Sequence, residues 1–172
     1  MKKSVLIFIF ILSFQVFLVG CSNKNDGITS SEEKKVKDVI DLVLSYDNGY
    51  DEKMQKHISE KNFYVCNYIE FYSFYIGEMS LEKYESNIIS IKNKEDGYVV
   101  CMSINMQGKA LETHYDEGDD EHEDHEGHSD EVIGEDVPVE VILKNRNGEL
   151  YIESFTEYES LEKAKELNEG FK

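Results

Sequence analysis

Four of the five histidines, His114, His122, His125 and His128, fall within 15 consecutive residues. Glu121, Glu123, Asp124 and Glu126 are interleaved with them. The spacing His122-x-x-His125-x-x-His128 lets a turn or one helical face bring two imidazoles together. Imidazole with carboxylate suits Zn²⁺, Ni²⁺ or Cu²⁺, whereas carboxylates alone suit Ca²⁺ or Mg²⁺. Across residues 112–136, 13 of 25 are Asp or Glu and none is Lys or Arg, so this insertion supplies most of the chain's acidity. Gly118, Gly127 and Gly134 favour an adaptable chelator over a rigid catalytic centre. No glycine falls in register for an EF-hand, and H-E-x-x-H is absent. Crowded carboxylates stabilise imidazolium, so affinity is expected to fall below pH 6 as protons compete for the ligand nitrogens. The competing reading is a solvated acidic loop between two strands.

The elements that would position this segment belong to a chain of 172 residues with a net charge of -18. That length suits one domain. An apolar fraction of 40% and an aromatic fraction of 12% are enough to build a core. The acidity argues against nucleic-acid binding and against charge-driven adhesion to anionic lipid.

The start of the chain reads as an address. Lys2 and Lys3 precede a mostly apolar stretch over 4–19, short for a spanning helix and suited to a signal peptide. It ends in Leu18-Val19-Gly20-Cys21, which resembles the lipobox of bacterial lipoproteins. The resemblance implies cleavage after residue 20, lipidation of Cys21, and a domain anchored on the extracytoplasmic face of the cell membrane. Residues 21–30 then form the lipidated cysteine and a flexible tether. Lysine-dominated basic residues and scarce alanine fit the coding bias of a low-GC, Gram-positive-type bacterium. Two cysteines remain, Cys66 and Cys101. They either pair, as an oxidising compartment permits, or stay as two buried thiols.

The body, residues 31–168, reads as one α+β domain. Ser30 and Glu33 form a capping-box pattern ahead of Val36, Val39, Ile40, Val43 and Leu44. Asp51 is placed to cap a short second helix bearing Met54 and Ile58. The aromatic-rich stretch Phe63 to Ile76 fits either helix or strand, and either a ligand pocket or core. Strands are expected over 84–93 and 98–107, with Tyr98, Val100, Met102, Ile104 and Met106 on one face and Cys101 on the other. A third strand carries Val137 to Leu143, with Pro138 at its start or on an edge. Asn147-Gly148 turns it into a fourth, over 149–158. Leu161, Ala164 and Leu167 suggest a closing helix.

Helices followed by a curved antiparallel sheet of about four strands give an order that resembles the NTF2-like (cystatin-like cone) superfamily. The likeness rests on the capped first helix, the short helix near Asp51-Glu52-Lys53-Met54, and the tail from Val139 through Asn147-Gly148-Glu149 to Ile152. It implies N-terminal helices packed on the sheet around a cavity, and a tendency to pair as homodimers. It implies no particular chemistry. The sequence carries no nucleophile elbow, phosphate loop or Ser-His-Asp pattern, so a non-enzymatic role is expected. The leading expectation is a metal-binding lipoprotein. The alternative is a structural or interaction subunit of an envelope assembly, with the acidic run as a solvated spacer.

Overall fold

Thr29 starts the first helix of the computed structural model, which describes residues 27–111 and 131–172. Its Oγ1 accepts the Glu32 amide at 3.2 Å, and Glu32 Oε2 accepts the Thr29 amide at 2.9 Å. This capping box lies one residue before the Ser30–Glu33 box expected from sequence. The run Thr-Ser-Ser-Glu-Glu offers both registers, and Ile28, packed on the core just before the cap, favours the earlier one. Helix α1 spans Ser30–Leu44 and buries Val36, Ile40, Val43 and Leu44.

Asp51 caps as expected, its Oδ1 accepting the amides of Lys53 at 2.9 Å and Met54 at 3.0 Å. The element it caps is a single 3-10 turn, Met54–Lys56. Met54 and Ile58 are fully buried. Ile58 makes an isolated parallel bridge to Ile152. The ambiguous aromatic stretch is helical and broken in two, α2 over Glu60–Cys66 and α3 over Tyr68–Ile76. Asn67, extended at φ -89° and ψ 103°, is the break.

Four strands come next as an open antiparallel meander in the order β1-β2-β3-β4. They are Met79–Lys94, Gly97–Ala110, Glu131–Arg146 and Glu149–Glu157. Three are longer than expected. β1 begins at Met79 rather than Tyr84, and β3 begins at Glu131 rather than Val137. Residues 131–136 of the expected insertion are therefore strand, with Glu131 opposite Lys109 and Ile133 opposite Gln107. Val132 explains this extension, because it packs with Ile69, Met79 and Met106 while its acidic neighbours stay exposed. Pro138 lies inside β3, opposite Ser103, and not at its start. It sits just past the last β3–β4 pair, Val139 with Glu157, where its missing N–H is no loss. Asn147 (φ 56°) and Gly148 (φ 88°) make the tight β3–β4 turn that their types suggest.

The inner face of the sheet carries Val100, Met102, Ile104, Val139, Val141 and Leu143 in one cluster with Ile40, Leu44 and Phe63. Part of the outer face, around Cys101 and Ile89, is covered by helix α4, Leu161–Leu167, and a terminal 3-10 turn, Glu169–Phe171. Ala164 of α4 is buried as expected, but Leu167 is 66% exposed. Phe171, beyond the expected boundary at residue 168, supplies the missing apolar contact by packing with Cys101.

Candidate functional site

All eight residues singled out as metal ligands lie outside the described residues: His114, His122, His125, His128, Glu121, Glu123, Asp124 and Glu126. So do the expected signal segment and Cys21. The described strands fix where the acidic run leaves and re-enters the fold. β2 ends at Ala110 and β3 begins at Glu131, and Lys109 pairs with Glu131. The Leu111 amide donates to the Glu78 carbonyl at 2.8 Å, immediately after α3. The run therefore bridges two hydrogen-bonded strands at the α3 end of the sheet. Among the described residues, no three of His, Cys, Asp and Glu gather closely enough to hold a metal ion.

Cys66 and Cys101 are both free and buried. Cys66 belongs to the inner cluster and Cys101 to the outer one, so the sheet lies between them. A disulfide needs Cβ atoms about 4 Å apart, and two layers separated by a sheet do not meet that condition. Burial pushes the Cys66 thiol up to about 12. It also raises Cys101, where desolvation outweighs hydrogen bonding with Ser90 and Asn168. Neither thiol is a ready nucleophile.

Sequence reading missed a polar cluster between α1 and β1. Asp41 Oδ1 accepts Ser86 Oγ at 2.6 Å and Tyr84 OH at 3.0 Å. Asp41 Oδ2 meets Lys37 Nζ at 2.5 Å, and Lys37 also reaches Ser86 Oγ at 2.5 Å. Burial, then the Asp41 charge, lifts the Tyr84 phenol well above its ordinary value. The phenol is a neutral donor at physiological pH, and the carboxylate is already engaged by three partners. The arrangement ties helix to edge strand and leaves no free base. Only the polar residues at a helix rim hinted at it in the sequence. His57 is likewise structural, with Nδ1 2.9 Å from the Leu150 carbonyl oxygen.

A cleft of about 260 Å³ opens on the outer face beside Ser90, Lys92, Lys94, Cys101, Glu140 and Asn168. Its best-placed polar groups hold the C-terminal turn in place. Ser90 Oγ donates to the Gly170 carbonyl at 2.6 Å. Asn168 Nδ2 donates to Glu140 at 2.5 Å and to Tyr158 OH at 3.1 Å. Gly170 fits so closely that a Cβ there would lie 2.3 Å from Cys101 Sγ. Gly170→Ala should therefore lift the C-terminal turn, at a cost of about 1–3 kcal/mol. Thiol-reagent kinetics on the native protein should then show Cys101 labelling faster than in wild type. Unchanged kinetics would mean the turn absorbs the methyl group without opening.

Among the described residues, no helix is long and apolar enough to cross a membrane. No protein-family model matches this chain, and no curated protein or solved structure matches it either.

Proposed function

We propose that the chain is a lipid-anchored, extracytoplasmic, non-enzymatic lipoprotein that captures a divalent transition metal through the acidic histidine run between β2 and β3. The observation that carries this reading is the pairing of Lys109 with Glu131. It holds the two ends of the run side by side on a rigid sheet, which shortens the search its ligands make for one another. His122, His125 and His128 supply imidazoles, while Glu121, Glu123, Asp124, Glu126 and His114 supply further donors. Zn²⁺ is the leading ion, with Ni²⁺ and Cu²⁺ sharing the same donor chemistry. The domain itself is a support of NTF2-like type. The cluster of helical and inner-face side chains and the Ile58–Ile152 bridge back to the last strand favour that assignment. An envelope protein is the natural recipient or partner of such a module.

Calorimetry on residues 22–172, which carry every described element of the fold, tests the proposal. Zn²⁺, Ni²⁺ and Ca²⁺ are titrated at neutral pH and again near pH 5.5. Stoichiometric transition-metal binding is expected, weakened at least tenfold by the combined His122→Ala, His125→Ala and His128→Ala substitutions and by the lower pH. Equal, weak binding in both proteins would reduce the run to acidic surface.

A further inference from the structure

Three neighbouring strands floor the cleft beside the C-terminal turn, and their register sets its rows. Ser90, Cys101 and Glu140 share one row, and Lys92, Val99 and Ile142 share the next. Lys92 and Lys94 stand on the β1 side and Glu140 on the β3 side. Val99 and Ile142, both half-buried, form the apolar floor. Two strand spacings, about 10 Å, separate β1 from β3.

Ser90 is engaged with the C-terminal turn and Asn168 with Glu140. The charges of the lining have no such counterpart. Among the described residues, no ion pair joins Lys92, Lys94 or Glu140 to any partner. Lys144 stands two residues beyond Ile142 on β3 and is held by Glu153 at 2.8 Å. The turn acids Glu95 and Asp96 do not line the cleft. Glu140 accepts a hydrogen bond from Asn168 Nδ2, and a carboxylate offers about four acceptor sites. Lys92 and Glu140 act on the Cys101 thiol in opposite senses, so both charged heads lie near that sulfur. Opposite charges thus share one cavity without meeting. Such a cavity attracts a ligand that carries the complementary pair. Its volume of about 260 Å³ falls just below the roughly 300–1,000 Å³ of drug-sized sites and suits a molecule of amino-acid size.

From this arrangement of cations, carboxylate and apolar floor, we propose that the outer-face cleft binds a free α-amino acid with an aliphatic side chain. The ligand carboxylate meets Lys92 and Lys94, and its ammonium meets the Glu140 carboxylate. Its side chain covers Val99 and Ile142. The site lies across the sheet from the inner cluster and is independent of the metal-capturing run.

The test titrates L-leucine and L-valine into isotope-labelled residues 22–172 and follows the backbone amide shifts by NMR. Isocaproate lacks the ammonium, isoamylamine lacks the carboxylate, and glycine lacks the side chain. The better of the two amino acids is expected to bind at least tenfold more tightly than any of these three. The largest shifts are expected at Val99, Cys101 and Ile142. The double substitution Lys92→Met/Lys94→Met is expected to weaken binding at least tenfold. Both side chains are exposed, so the fold is retained. Glu140→Gln keeps an acceptor for Asn168 and should weaken the amino acid by as much, while isocaproate binds no more weakly than before. Isocaproate binding as tightly as leucine would overturn the inference and make the cleft a plain anion site. Equal binding of isoamylamine or glycine, or full binding by either variant, would overturn it too. So would shifts centred away from the cleft, or no binding of either amino acid.

Discussion

Between pH 9 and 12 the protein should lose stability steeply, and Cys66 should account for about 4 kcal/mol of the loss. The Cys66 thiol ordinarily titrates at 9.0 and is pushed up to about 12 by burial in the folded state. Above pH 9 the unfolded chain releases this proton while the folded chain keeps it. Folding stability then falls with pH, because the folded state binds more protons. The contribution is fully present below pH 9 and is gone once pH passes the folded value. A proton held over that interval corresponds to about 4 kcal/mol at 1.36 kcal/mol per pH decade. Tyr84 and Tyr68 add to the same trend from pH 10 upward. Burial raises both, helped by Asp41 and Glu157 respectively. Urea denaturation of wild type and Cys66→Ala across this range separates the thiol from the tyrosines and lysines. The variant should be less stable at pH 7, where it has lost packing, and more stable near pH 12. Curves that stay parallel would show that Cys66 does not hold its proton.

Asn67→Ala should cost about 3 kcal/mol, with the loss centred on the junction of α1 and α3. Asn67 is fully buried. Its Nδ2 donates to the Val43 carbonyl at 2.8 Å and to the Tyr46 carbonyl at 2.6 Å. Its Oδ1 accepts the Glu70 amide at 3.1 Å and so caps α3. Removing the side chain deletes a helix cap worth about 1 kcal/mol. It also leaves two carbonyls at the end of α1 without this donor, at about 1 kcal/mol or more each. Asn67→Asp keeps the cap acceptor but sets a carboxylate against those two carbonyls. It should be at least as damaging at pH 7 and should partly recover in acid, when the carboxyl regains a donor proton. Chemical denaturation at pH 7 and pH 4, each against wild type, checks both substitutions. An Asn67→Ala cost below about 1 kcal/mol would mean that water replaces the amide.

Where a residue pattern maps onto one physical constraint, the sequence was readable. Tyr98, Val100, Met102, Ile104 and Met106 alternate with Cys101 because one side of β2 faces the helices and the other the C-terminal turn. Asn147-Gly148 was legible because few residues accept positive φ in succession. Legibility failed where two constraints gave the same pattern. The run from Thr29 to Glu33 contains two capping boxes, and periodicity is blind to a shift of one. Aromatics from Phe63 onward suit helix and strand alike. The break came from Asn67, whose role depends on carbonyls 21 and 24 residues earlier in the chain. The start of β3 was hidden because acidity masked the single inward residue, Val132. The Asp41 cluster was illegible for the same long-range reason, as its partners stand 43 and 45 residues away. The metal-ligand set was read from composition and spacing, and its eight residues lie outside the described ones.

The meander has a consequence for how freely the segment between β2 and β3 can change. Each strand pairs with its neighbour in sequence, so lengthening one connection rethreads nothing. Treated as a plain polymer loop, a doubling of that connection costs only about 0.6 kcal/mol in closure entropy. The Lys109–Glu131 pair then works as a socket that accepts inserts of varied length and content. Insertion or deletion between Ala110 and Glu131 leaves the packing of the core beneath unchanged, and under the proposed metal-capturing role it would alter ligand count and metal preference.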